Sequence, residues 1–239
     1  MCTQQSEENL VHLPFLKSPV EWGLVTADLE TETLKLKSYD AKLLQLIGNV
    51  NQKAILDYGA GAGNLAAALV KLNAKISVYD ISDEMLNACR KIEGIEQIYP
   101  TLGEISKESF DFIICNLVLC IVPDHEVELI VKTISSLLRP TGKCYLGVCN
   151  PHIHNVKDSQ LDEREYSGAK YSHNHNYNKV KKEGGYKIVE RHRPLGWYDA
   201  TFRALGFTPS GIHFTDSYDL EGQRIRDFVI FELERDSQI

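Results

Sequence analysis

The sequence predicts an α/β protein: a doubly wound, mostly parallel seven-stranded sheet with helices on both faces and a C-terminal antiparallel hairpin. Three observations predict it. From Ala54 to Cys149, short apolar runs of strand length alternate with segments of helical period, as in a parallel sheet whose crossovers are helices. The first run ends in a glycine-rich turn, Gly59-Ala60-Gly61-Ala62-Gly63. Beyond the last helical segment the chain changes to two strand-like runs joined by a polar turn, which suits antiparallel addition at one sheet edge.

The elements follow in order. The first 53 residues hold one clear helix, about Ser38 to Ile47, among aromatic and Pro-containing loops. They read as an N-terminal helical lid (1–53) belonging to the same domain as 54–239. Ala54 to Tyr58 is a buried strand, Leu65 to Leu72 an Ala- and Leu-rich helix, and Lys75 to Asp80 a second strand. Ser82 is placed to cap the next helix, with Asp83 and Glu84 in its first turn. Ile95 to Tyr99 is a weak third strand and Phe110 to Cys115 a fourth. Pro123 and Asp124 open a helix reaching Leu138, which Arg139-Pro140-Thr141-Gly142 ends. Lys143 to Cys149 is the fifth strand. Leu195 to Leu205 is an amphipathic helix stopped by Gly206. Phe207 to Ser217 and Ile225 to Glu234 form the closing hairpin around Asp219-Leu220-Glu221-Gly222. Residues 151–194 are polar, rich in His and Tyr, and too long for an ordinary connection. They read as an insertion on the substrate side.

Composition narrows the function. Twenty-six Lys and Arg stand against 33 Asp and Glu, a formal net charge of −7 over 239 residues. That acidity argues against a nucleic-acid partner, which needs a positive field to displace counterions. The longest apolar runs, Phe112 to Cys115 and Leu117 to Val122, fall far short of the ~20 residues a bilayer span requires, so no membrane partner is expected. Met1 to Glu8 carries no basic region with an apolar stretch behind it, so no signal peptide is expected there. Six cysteines sit mostly in apolar patterns without a C-x-x-C pair, as reduced core thiols in a cytoplasmic protein. Oligomeric state is not addressed by the sequence.

The glycine turn carries the most chemistry. A strand must bend sharply into a helix while a ligand lies against the backbone, and Gly removes the Cβ that would block that approach. Free N–H groups and the helix dipole then face the ligand. A dinucleotide site favours G-x-G-x-x-G. Here Asn64 holds the place of the last Gly, and the spacing is D-x-G-x-G-x-G from Asp57, which disfavours a nicotinamide-linked oxidoreductase.

That spacing resembles motif I of the S-adenosylmethionine-dependent methyltransferases with a Rossmann-like sheet (class I), and the likeness continues in order. Asp80 ends the second strand. Ser109-Phe110-Asp111-Phe112-Ile113-Ile114-Cys115-Asn116 resembles the family's fourth strand, and Leu137-Leu138-Arg139-Pro140-Thr141-Gly142-Lys143 the entry to its fifth. Ala204-Leu205-Gly206-Phe207 is similar to a common signature after the last helix. The resemblance implies S-adenosylmethionine as cofactor. It also implies roles: Asp57 holds the turn and approaches the methionine amino group, while Gly59, Ala60 and Gly61 line the methionine and ribose. Asp80 takes the ribose diol, Ile81 packs on the adenine, and Asn116 and Leu117 lie near the methionine ammonium. Tyr39 resembles a Tyr that closes over the methionine end. Many relatives carry an Asp after the third strand; here Thr101 and the Leu102 backbone take its place.

For the acceptor, the resemblance is to methyltransferases of small-molecule and quinone biosynthesis. The implied reaction moves a methyl group to a small-molecule acceptor, on O or N rather than C, and releases S-adenosylhomocysteine. The fifth strand of the family ends over the methyl group, here at Cys149-Asn150-Pro151-His152. Glu190-Arg191-His192-Arg193-Pro194-Leu195 resembles a stretch preceding the last helix in several such enzymes. His192 and His152 are therefore the catalytic candidates, with His192 the better base or orienter. Arg193, Tyr166 and Tyr171 are the substrate-binding candidates. His152, His154, His173 and His175 form two His-x-His pairs, but a polar stretch separates them and no Cys accompanies them, so no metal is expected. RNA or protein methylation remains an alternative through the cluster Lys179, Lys181 and Lys182. So does a non-catalytic regulatory protein that binds S-adenosylmethionine.

Overall fold

A computed structural model describes residues 33–166 and 168–236. An α-turn (Thr33–Lys35) and a π-turn (Leu36–Asp40) lead into α1 (Ala41–Ile47). Alternating strands and helices follow: β1 (Ala54–Tyr58), α2 (Asn64–Lys71), β2 (Lys75–Tyr79), α3 (Asp83–Cys89), β3 (Gln97–Tyr99), β4 (Phe110–Asn116), α4 (Asp124–Leu137) and β5 (Leu138–Cys149). The insertion forms β6 (Asp162–Glu165), β7 (His175–Lys181) and β8 (Lys187–His192). The chain ends with α5 (Leu195–Ala204), β9 (Phe207–Phe214), the short pair β10 (Tyr218–Leu220) and β11 (Gln223–Ile225), and β12 (Phe228–Arg235).

The main sheet has seven strands in the order β3-β2-β1-β4-β5-β12-β9. The pairs from β3 through β5 are parallel, and β12 is antiparallel to both β5 and β9. Strand order reverses between β1 and β4, the place where open α/β sheets leave a crevice at the strands' carboxyl ends. Side chains alternate across the sheet. Ile113, Cys115, Cys144, Leu146, Val229 and Phe231 pack on one face with Val127, Val131 and Ile134 of α4 and Tyr198 and Phe202 of α5. Ile55, Ile76, Ile114, Tyr145 and Ile230 pack on the other with residues of α1, α2 and α3. The buried positions of α4 recur at three- and four-residue spacing, one helical stripe.

Several expectations are corrected in detail. β5 begins at Leu138 and includes Arg139 to Gly142, with a register shift against β4 between the Leu138 and Lys143 pairings; Pro140 has no N–H to give a regular ladder there. Ser82 stands at the N-cap of α3 without a side-chain cap, its hydroxyl donating to Glu84 instead. The closing hairpin is interrupted by the β10–β11 pair. Residues 151–194 contain a three-stranded antiparallel sheet, β6-β7-β8. Of the expected lid, residues 1–32 lie outside the described residues. The described part buries Tyr39, Leu43, Ile47 and Val50 in the core. Among the described residues, no helix is long and apolar enough to cross a membrane.

Candidate active site

The reversal of strand order opens onto a cavity of about 340 Å³. Its floor is the turn after β1 and the carboxyl ends of β2 and β4. Asp57, Gly59, Ala60, Gly61, Asp80, Ile81, Asn116 and Leu117 all line it. The turn is shaped by its glycines. Gly61 has φ +56°, and a Cβ added there meets nothing within 4 Å. Its backbone is thus bare toward the cavity, a cradle that a ligand can approach closely.

Asp80 locks this turn. Its Oδ2 accepts the Gly61 N–H at 2.9 Å and its Oδ1 the Ser82 N–H at 3.0 Å. Burial raises its pKa, against the lowering effect of the backbone hydrogen bonds from Ser82, Gly61 and Ile81. Each carboxylate oxygen retains acceptor capacity. Asp57 is more deeply buried, and its pKa is pushed up to about 7, chiefly by burial; Lys35 opposes the rise, whereas Asp40 and Asp80 add to it. Leu117 sits at φ +59°, with its N–H on the Gly147 carbonyl. Such left-handed backbone costs a branched residue about 1–2 kcal/mol and marks a position constrained by the site.

Three cofactor candidates stand off the cavity wall. Tyr39 is wholly buried behind it, donating to Asn116 Oδ1 at 2.6 Å. It occupies the space over Gly147, where a Cβ would meet its hydroxyl at 1.5 Å. Thr101 donates to Glu104 at 3.0 Å, and Leu102 packs on the core. Neither reaches the cavity.

The opposite wall comes from the insertion. Lys179, Lys181, Ile188 and Glu190, on β7 and β8, and Tyr186 between them roof the cavity. Their charges are tied together. Lys179 lies 2.8 Å from Glu190 and 3.0 Å from Asp162; Lys181 and Arg164 are also 3.0 Å from Asp162. Tyr177 donates to Glu190. Burial acts to raise the Asp162 pKa, but Lys179, Lys181 and Arg164 outweigh it and hold the carboxyl far below the usual range.

The acceptor candidates lie behind this roof. His192 and Tyr166 line a separate cavity of about 20 Å³ with His154, Cys149 and Arg193. Burial holds the His192 pKa down at about 4, helped by His154 and His175 and opposed by the hydrogen bond with the Tyr171 carbonyl. Arg193 is enclosed by Asp124 and the carbonyls of Leu119 and Val122, so its donors serve the fold. The ring of His152 stacks against Phe214 and Tyr171. Sequence reasoning had not singled out Lys35, Glu126, Lys181 or Glu190 for the cavity.

The arrangement fits a ligand with a diol, an apolar ring and positive charge: free acceptors on Asp80, the exposed face of Ile81 and the acid at Asp57. A family profile for a methyltransferase domain matches residues 33–190. A ubiquinone biosynthesis O-methyltransferase of Yersinia pestis is 25% identical over 210 residues, covering 82% of this chain and 81% of that protein. One of Idiomarina loihiensis is 30% identical over 109 residues, 42% of this chain and 44% of that protein. A solved S-adenosylmethionine-dependent methyltransferase of Mesorhizobium loti superposes with TM-score 0.62 at 18% identity, covering 82% of this chain and 96% of that one. The 1,6-didemethyltoxoflavin N1-methyltransferase of Burkholderia thailandensis superposes at 0.55 and 15% identity, over 93% and 92%.

Proposed function

This chain belongs to the class I S-adenosylmethionine-dependent methyltransferases, and from that premise we propose that it methylates an oxygen of a small organic acceptor held beneath the β7–β8 roof. The observation that carries the reading is the roof itself. The wall facing the cofactor turn is built by this chain's own strands, which suits an enclosed organic molecule rather than a segment of a macromolecule. Oxygen is favoured by the relatives named as ubiquinone biosynthesis O-methyltransferases and by ammonium groups in the roof.

The residues divide the work. Asp80 receives the ribose hydroxyls on its remaining lone pairs, and Ile81 covers the adenine. The backbone of Gly59, Ala60 and Gly61 lines the ribose and methionine. Asp57, with Asn116 and Leu117, faces the methionine end. When bound, S-adenosylmethionine supplies a methyl group already activated on a sulfonium. What remains for the chain is to align the acceptor and exclude water, and good alignment contributes about 7–11 kcal/mol. An acceptor hydroxyl must also lose its proton. Lys181 lowers the pKa of a hydroxyl placed beside it, and Glu190 offers a carboxylate in the same wall. His192, outside the cavity, is set aside as the base in favour of Glu190.

The test is turnover with purified protein, S-adenosylmethionine and fractions of small hydroxylated metabolites, read by mass spectrometry. S-adenosylhomocysteine should form together with a methylated product from the small-molecule fraction. Turnover seen only with RNA or protein fractions would refute the small-acceptor reading.

A further inference from the structure

The two His-x-His pairs, which looked unrelated in sequence, each send one imidazole to the same place. His175 opens β7 and His192 closes β8, and the two are directly paired across the hairpin. His154 follows the short helical turn Pro151–Ile153 that leaves β5 of the main sheet. The three rings form a near-equilateral triangle, with centroids 5.0 Å apart for His154 and His175, 4.6 Å for His154 and His192, and 4.8 Å for His175 and His192. Each contributes a ring nitrogen, and the three nitrogens lie within 4.8 Å of one another.

The protein also orients the rings. His175 Nδ1 lies 2.9 Å from the His173 carbonyl. A carbonyl only accepts, so Nδ1 carries the proton and Nε2 presents a lone pair. His192 Nε2 lies 2.8 Å from the Tyr171 carbonyl, which leaves the lone pair on its Nδ1. Backbone carbonyls that fix the tautomer in this way are the usual outer partners of metal-bound histidines. His154 Nε2 stands 3.3 Å from His175 Nε2. Two imidazole nitrogens on a tetrahedral zinc at about 2.05 Å are separated by about 3.3 Å.

We propose that His154, His175 and His192 form a binding site for a zinc-class transition-metal ion that staples the β7–β8 roof to the main sheet. All-imidazole ligation suits zinc and its neighbours rather than magnesium or calcium. The fourth position takes a water, for which the 20 Å³ cavity lined by His154 and His192 has room. The ion sits at the far end of the strands that place Lys179, Lys181, Ile188 and Glu190 over the active cavity. It therefore orders the roof without touching the reacting groups. This revises the expectation of no metal: only one histidine of each pair takes part, and the third ligand comes from outside both.

The full-length chain, stripped with chelator, is titrated with zinc by calorimetry and with cobalt by visible spectroscopy. One equivalent of zinc should bind, and cobalt should give the absorption of a tetrahedral site. A hundredfold excess over Kd should raise the melting temperature by about 5–10 °C. His175→Gln, at a half-buried position, should weaken zinc binding by roughly a hundredfold or more, beyond the loss of an outer partner. His173→Ala keeps its carbonyl and should leave binding unchanged. Absence of binding to the wild-type chain at micromolar zinc would overturn the site. So would binding that survives His175→Gln but is lost in Cys149→Ser, which would place the ion at the nearby Cys120, Cys149 and Glu190 cluster.

Discussion

Asp57 lets the cost of preparing the cavity be measured directly. Burial raises its pKa from 3.8 to about 7 in the folded protein. The sign is opposite to that of a salt-bridged acid: the folded state holds the proton more tightly than the unfolded one. The contribution of Asp57 to stability is therefore greatest below pH ~3.8 and declines as pH rises toward 7. Three units at 1.36 kcal/mol each make an ionised Asp57 cost about 4 kcal/mol above neutrality. Asp57→Asn removes the titration while keeping the shape. Urea denaturation of both proteins from pH 5 to pH 8 should show the variant gaining on the wild type by about 2.5 kcal/mol over that interval. Binding reverses the preference, because a cationic ligand favours the carboxylate. S-adenosylhomocysteine, which carries an ammonium, should release about half a proton at pH 7. Calorimetry in two buffers of different ionisation enthalpy reads that release, and it should vanish in the variant. Parallel stability curves with no buffer dependence would refute the reasoning.

Asp80→Ala should weaken binding of S-adenosylhomocysteine by about 10- to 150-fold in calorimetric titration, the loss of a charge-assisted hydrogen bond worth about 1.5–3 kcal/mol. Asp162→Asn leaves Arg164, Lys179 and Lys181 buried with one fewer counter-charge. It should destabilise the protein by about 3–5 kcal/mol, measured by denaturant unfolding. Arg193→Met removes the side chain that joins Asp124 to the Leu119 and Val122 carbonyls. A similar loss of about 3–5 kcal/mol is expected, together with retained affinity for S-adenosylhomocysteine if Arg193 serves the fold.

What was legible in the sequence was what the backbone dictates. Gly61 is needed because the turn holds it at φ +56°, and Asp80 because it accepts the Gly61 N–H. Such demands act on one residue at a time and leave motifs. The alternation of apolar runs likewise revealed the parallel sheet. The roof was hidden because its inward face is charged: Asp162, Arg164, Lys179, Lys181 and Glu190 break the apolar alternation that announces a strand. The position of His192 was hidden for a geometric reason. It lies on the same face of β8 as Glu190, two residues further on. A strand rises about 3.3 Å per residue, so the imidazole is carried past the cavity to the histidine cluster.

The roof's charges explain why this wall is not simply apolar. Arg164, Lys179 and Lys181 face Asp162, Glu190 and Asp227, so positive and negative groups balance. Apolar residues of equal volume would often make such a face more stable, because burying ions costs more than their attraction returns. Stability therefore does not account for the pattern, and the proposed O-methylation gives the charges a use. The floor presents Asp57 and Asp80 to a cationic cosubstrate, and the roof presents Lys179, Lys181 and Glu190 across the cavity. On the proposed reading, the acids of the floor favour binding of the cationic cosubstrate, and the ammonium groups of the roof favour the ionised form of an acceptor hydroxyl before transfer. An apolar roof would shelter an acceptor equally well but would do nothing to ionise the hydroxyl proposed for it. On this argument Glu190→Gln and Lys181→Met should lower turnover more than cofactor affinity, because both residues act on the acceptor.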